Sequence, residues 1–206
     1  MTRRGLLLAT ATAALAPAVV QAQPPFRGVA PGDVLRGRFV QERRIKGFAH
    51  PLVSSGDFIL VPGQGLIWRT KQPFAIVTVI TAAGLVQDVN GTETTHLSAT
   101  RLPFLGRLYD LLGGALSGDW HALEAMFKAT QRGDAQDWDL ELEPRGPVDP
   151  VAMPFRSITL RGGTYVNEVV ISRLNDDSDR LVFSGQTITR GGLTQAEASR
   201  LQGAGQ

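Results

Sequence analysis

The side chains that could do chemistry in this chain are few and scattered. Its three histidines, His50, His96 and His121, fall in separate segments, and only His121 has a carboxylate at helical spacing, Glu124. A zinc site needs three or four ligands converging on one point, and no third ligand accompanies that pair. Asn175-Asp176-Asp177-Ser178-Asp179 is oxygen-rich enough to suggest calcium. It lacks the central glycine and terminal glutamate of the twelve-residue calcium loop, so it reads as a solvated hairpin turn. Ser54, Ser55 and Ser117 have no nucleophile-elbow sequence and no suitably placed histidine. Gly63-Gln64-Gly65 stands between two strand-like segments rather than ahead of a helix, which makes it a turn and not a phosphate loop. The chain has no Cys, which removes disulfides, thiolate metal sites and a lipidated N-terminal cysteine. The expectation is a protein that is not an enzyme and uses no metal and no cofactor.

With catalysis set aside, the informative surplus is apolar. The chain is 43% hydrophobic and 19% charged, a composition that buries a core and does not stay disordered. Strand parity groups Phe58 with Leu60, Leu66 with Trp68, and Trp138 with Leu140 and Leu142. Such faces are either ordinary core or the lining of a concave, partly open cavity, and periodicity leaves both readings open.

These faces need strands to carry them. Val34–Arg44, Leu52–Leu60, Gly65–Thr70 and Phe74–Thr81 are β-like, separated by Pro62-Gly63 and Gln72-Pro73. Leu85–Val89 and Thr92–Leu97 flank Asn90-Gly91, which supplies the two positive-φ residues of a tight hairpin. Between about 102 and 130 the apolar period lengthens from two to between three and four. Leu105, Leu108 and Leu112 share one side of a helix after Pro103, Gly113-Gly114 ends it, and Ser117 caps a second helix with Trp120, Leu123, Met126 and Phe127. Strands resume at Trp138–Glu143, Pro154–Arg161, Thr164–Arg173 and Arg180–Ile188, and residues 191–206 read as a flexible tail. About ten strands with one helical insertion predict a mainly β fold, a single strongly curved antiparallel sheet or open barrel over residues 23–190. The helices would either close its mouth as a lid or plug its core.

The first 22 residues read as a secretory signal peptide: Arg3 and Arg4, an apolar run, and small residues before a cleavage point after Ala22. Leu6 stands where a twin-arginine signal favours an aromatic, so the general secretory route is expected. Cleavage would reduce Lys+Arg from 21 to 19, matching the 19 Asp+Glu, and the net charge of +2 belongs to the leader. Residues 23–80 then carry eight cations against three acids. A nucleic-acid partner loses its compositional support. The cations Arg36, Arg38, Arg43, Arg44 and Lys46 remain as a candidate cluster for docking a protein partner.

Phe39-Val40-Gln41, Ser55-Gly56-Asp57-Phe58, Pro62 and Trp68-Arg69-Thr70-Lys71-Gln72-Pro73 stand in a telling order, followed by Leu116-Ser117-Gly118-Asp119, Trp138-Asp139-Leu140 and Leu142-Glu143-Pro144-Arg145. From about Val34 to Phe183 the chain resembles the periplasmic outer-membrane lipoprotein carrier family, LolA-like, in a divergent branch. The resemblance implies an incomplete, strongly bent antiparallel β-barrel with a helical lid over a hydrophobic cavity. It also implies a monomeric periplasmic carrier of acylated lipoprotein or lipid, with an inner-membrane exporter as donor and an outer-membrane acceptor. Phe39, Phe58, Leu60, Leu66, Trp68, Leu105, Leu108, Leu112, Leu140 and Leu142 are the candidate acyl-chain contacts. Two departures point to a specialised shuttle. The family's basic residue just before the proline ahead of its Trp strand is absent from Leu60-Val61-Pro62-Gly63, and the proline-rich stretch 23–33 cannot form the family's long first helix. The alternative is a periplasmic interaction or sensor module on the same fold, without lipid transfer.

Overall fold

Val34 and Leu35 are adjacent and both buried. Successive side chains of a strand point to opposite faces, so the strand holding them must be covered on both sides. The computed structural model describes residues 28–98, 127–146 and 154–204 and shows what covers each face. Strand β1 (Asp33–Arg44) is followed by β2 (Leu52–Val61), β3 (Gly65–Gln72), β4 (Ile76–Ile80), β5 (Gly84–Val89) and β6 (Thr92–Ser98). After these come β7 (Phe127–Gly133), β8 (Trp138–Pro144), β9 (Phe155–Gly162), β10 (Val166–Arg173), β11 (Ser178–Arg190) and helix α1 (Gln195–Gly203). All eleven strands form one antiparallel sheet in the order β6-β5-β4-β3-β2-β1-β11-β10-β9-β8-β7.

The sheet is two meanders joined at one seam. β1 to β6 and β7 to β11 each pair in sequence order, and β1 pairs with β11 from Asp33↔Arg190 to Arg44↔Ser178. Among the described residues β6 and β7 remain at opposite edges, so the sheet is curved but does not close into a barrel. The tightest turn forms where Asn90 and Gly91 adopt φ of 51° and 85° between paired Val89 and Thr92. The seam carries a bulge: Arg36 faces Thr187 and Arg38 faces Ser184, so β11 has extra chain there, including Gly185 at φ 59°. A bulge adds local bend and twist, here at the middle strands of the sheet.

Helix α1 covers the outer face. Leu201 and Ala204 pack on Val34, Ile59, Val61, Ile67 and Val79. The Arg36 guanidinium donates to both Glu197 oxygens at 3.1 and 3.0 Å and to the Gly192 carbonyl at 2.7 Å, and Arg200 lies 2.6 Å from Asp88. Thr194 and Glu197 form a reciprocal capping box. The expectation of a flexible tail over 191–206 is therefore corrected for residues 191–204, because the cap fixes the helix start and Leu201 gives it an apolar anchor. A second correction concerns Phe127–Thr130, expected to end a helix. They begin β7, whose ladder to β8 runs from Phe127↔Pro144 to Gly133↔Trp138. Backbone pairing to an otherwise open strand edge overrides the local period. The signal peptide 1–22, the remaining insertion up to 126 with Leu105, Leu108 and Leu112, and His121 lie outside the described residues. Among the described residues no helix is long and apolar enough to cross a membrane.

Burial pushes the Glu197 carboxyl up, but hydrogen bonds from Arg36 and from the Thr194 backbone outweigh it and hold the group below the usual carboxylate range. A carboxyl lowered in the folded state stabilises docking above its unfolded value, about 4, and loses that contribution as pH falls through the folded value. The protection factors of the α1 amides, measured against the intrinsic exchange rate at each pH, should fall below about pH 4. Glu197→Gln should show faster α1 exchange already at neutral pH, and Leu201→Ala should cost about 2–4 kcal/mol in denaturant melts.

Candidate functional site

The inner face is where the sequence-predicted apolar residues meet. Gly37 is paired with Phe58, Leu35 with Leu60, Phe58 with Trp68 and Leu60 with Leu66, which places these alternating side chains on one surface. Leu35, Phe58, Leu60, Leu66 and Trp68 line one side of a cavity of about 100 Å³, and Leu160, Val166, Val169, Phe183 and Gln186 line the other. Leu66 on β3 and Leu160 on β9 are five strand steps apart. On a flat sheet with strands about 4.8 Å apart that is about 24 Å, so their meeting at one small cavity measures how far the sheet curls.

Four aromatic rings hold this curl from within. Phe39 stacks on Trp68 with centroids 3.8 Å apart, and Phe58 lies 6.0 Å from the same indole. Phe183 meets Phe58 edge-on at 5.3 Å and Trp68 at 6.2 Å. Trp68 and Phe183 are three strands apart, about 14 Å along a flat sheet. Gly37 makes room for the cluster: a Cβ there would stand 2.6 Å from Cε1 of Phe58. A second apolar cluster continues the inner face, with Phe127, Trp138, Leu140, Leu142, Phe155 and Leu160 buried together. The Trp138 indole donates to the Gly163 carbonyl at 2.8 Å, which satisfies its one polar atom.

The candidate contacts thus fall into two groups. Phe58, Leu60, Leu66 and Trp68 line the cavity, and Phe39 supports it through the Trp68 stack. Leu140 and Leu142 belong to the adjoining cluster, 2% and 3% exposed, and do not line the cavity. Sequence reasoning missed the far wall. Val166 and Val169, three residues apart on β10, share this face only because the β9–β10 register shifts between Val166 and Glu168, and only the β1–β11 seam brings them and Phe183 opposite Trp68.

The five cations are not brought together. Arg36 lies under α1 on the outer face, Arg38 faces Asp57 across the ladder, and Arg44 is exposed opposite Ser178. Arg43 approaches buried Asp179 at 3.6 Å, and Lys46 pairs with Asp176 at 2.8 Å. The unequal charges of the two chain halves therefore neutralise one another along the seam. The Asn175–Asp179 turn is part of this pairing: Asp177 accepts from the Lys46 backbone at 2.9 Å and Asp176 also meets Arg156 at 3.2 Å. Among the described residues no group of three or more metal-binding side chains converges.

The site is thus an apolar, aromatic-floored cavity inside a curled open sheet. Residues 13–203 match the family described as outer membrane lipoprotein carrier protein LolA-like, and the chain belongs to that family. No curated protein matches the chain. Similar solved structures include a LolA superfamily protein from Nitrosomonas europaea, 7% identical, covering 82% of this chain and 90% of that one at a TM-score of 0.41. The MucA/MucB complex of Pseudomonas aeruginosa is 15% identical, covering 82% and 55% at 0.38. LprF from Mycobacterium bovis is 10% identical, covering 78% and 88% at 0.35.

Gly37→Val should force the Phe58 ring off its seat. The expected cost is about 1–3 kcal/mol of stability, with a changed near-ultraviolet circular dichroism signal from the Phe58–Trp68 contact and an unchanged far-ultraviolet β signal.

Proposed function

We propose that this protein is a periplasmic carrier that takes up the acyl chains of a lipoprotein or lipid on the inner face of its sheet and moves them towards the outer membrane. The observation that carries this reading is the cavity lined by nine apolar side chains and one polar one, Gln186. Family membership supports the same reading. Export by a cleaved leader over residues 1–22 would deliver the chain to the compartment where such transfer is needed.

The energetics fit a reversible carrier. Withdrawing an acyl chain of about sixteen carbons from water is worth roughly 12 kcal/mol gross, at about 0.8 per methylene. The cavity of about 100 Å³ is smaller than an ordinary ligand pocket of about 300–1,000 Å³, so cargo must displace the rings. Each aromatic pair contributes about 0.5–1.5 kcal/mol beyond its area, and the four contacts together cost less to break than the chain gains. The net affinity is then well below the gross value, which permits release.

Trp68→Glu tests the assignment. Protein purified from its native periplasm should yield acyl chains on organic extraction and mass spectrometry, and the Trp68→Glu protein should yield none while its circular dichroism stays β-rich. Equal lipid on both proteins would refute the role of this cavity.

A further inference from the structure

Exposed large apolar side chains are concentrated at one place. Of the five among the described residues, four lie at the β1–β2 end: Val40 is 42% exposed, Phe48 66%, Leu52 54% and Val53 54%. β2 reaches β3 only from Ser55, so Leu52–Ser54 and the connecting loop project beyond that neighbour. Parity places Val40 and Val53 on the outer face and Leu52, opposite Arg43, on the inner face. β11 flanks β1 as far as Arg44↔Ser178, so the part of the β1–β2 ribbon free on both edges is the loop 45–51 that carries Phe48, with Leu52 on the inner face and Val53 on the outer face at its base.

A single protein layer covers one face of a ribbon, whereas a lipid interface surrounds a tip that enters it. Charge agrees. From Arg43 to Val53 the chain carries Arg43, Arg44 and Lys46 and no acid. Arg43 and Lys46 meet Asp179 and Asp176, Asp177 accepts from the Lys46 backbone and Glu42 stands opposite Val53, while Arg44 has no carboxylate partner among the described residues and supplies the unneutralised cation. Apolar side chains at a tip with cations just behind them match a bilayer surface carrying anionic headgroups, which draws in the cations while the apolar groups enter the headgroup–acyl boundary.

We propose that the β1–β2 tip docks the protein on anionic phospholipid surfaces, with Phe48 and Leu52 inserted and Arg44 held at the headgroups. The carrier reading gives this docking its purpose, but the exposed tip is independent of the cavity.

The chain has no Cys, so Phe48→Cys provides a unique attachment point for an environment-sensitive fluorophore, and Glu93→Cys on the distant β6 edge provides the control. With vesicles containing phosphatidylglycerol, the probe at 48 should shift to the blue and become shielded from an aqueous quencher, and the probe at 93 should do neither. Phe48→Asp should weaken vesicle partition at least about tenfold, the loss expected for one large apolar side chain. Arg44→Glu should weaken it for phosphatidylglycerol vesicles and not for phosphatidylcholine ones. Absence of vesicle association, or association undiminished by Phe48→Asp, would overturn the proposal. Shielding at 48 that follows protein concentration without vesicles would overturn it in favour of a second copy as occupant. Extracted lipid should be equal for wild type and Phe48→Asp, so failure of docking and failure of cargo binding are told apart.

Discussion

The contact of Trp68 with Phe183 is the interaction on which the architecture turns. One ring sits on β3 and the other on β11, with β2 and β1 between them, and they meet at 6.2 Å only because the sheet folds over its own inner face. Phe39 and Phe58 fill the space between them, and Gly37 withholds the Cβ that would occupy it. The bulge beside Gly37 supplies the bend, and the rings hold it. An apolar inner surface, a cavity beside it and an open rim all follow from one curled sheet with an aromatic centre.

Curling exposes the opposite problem on the outside. Ile59, Val61, Ile67 and Val79 alternate with the inner residues, and an apolar outer face in water would invite association. α1 removes that face with one leucine, one alanine and the Arg36–Glu197 pair. The pair is well satisfied: Glu197 caps its own helix as it receives the guanidinium, so little of its charge is left unpartnered. The middle of the sheet is thereby sandwiched, whereas the β1–β2 tip extends beyond what α1 can cover.

What the sequence made legible was local. Asn90-Gly91 declared its hairpin because only two adjacent positive-φ residues suit that turn, and the alternation around Trp138, Leu140 and Leu142 declared a dry face. Phe58, Leu60, Leu66 and Trp68 were found for the same reason. Phe183 and Gln186 were not, because their place at the site depends on β1 pairing with a strand more than 130 residues away in the chain. α1 was missed although Thr194 and Glu197 spelled its cap; a nine-residue helix with a single leucine has little periodicity to read. β7 was missed because its residues after Phe127 are mostly exposed, leaving no apolar alternation against the helical pattern before it. The cations looked like a cluster in one dimension, yet parity alone sends Arg36 and Arg43 to opposite faces.

An apolar cavity that exchanges its contents must be neither a solid core nor a trap. A packed core would fill the inner face with aliphatic side chains in fixed rotamers, and no guest could replace them without a cavity-sized penalty. Here the centre is filled by flat rings from four positions on four strands, which pack on one another and so stabilise the empty state. A guest that separates them loses that ring-on-ring energy and recovers it on leaving. On the carrier reading, the aromatic cluster is therefore a built-in competitor for the cargo, and its strength sets how much of the acyl chain's transfer energy remains as binding. Replacing the rings with leucines would preserve an apolar surface while removing the competitor, so the aromatic character of Phe39, Phe58, Trp68 and Phe183 serves reversibility as well as the fold.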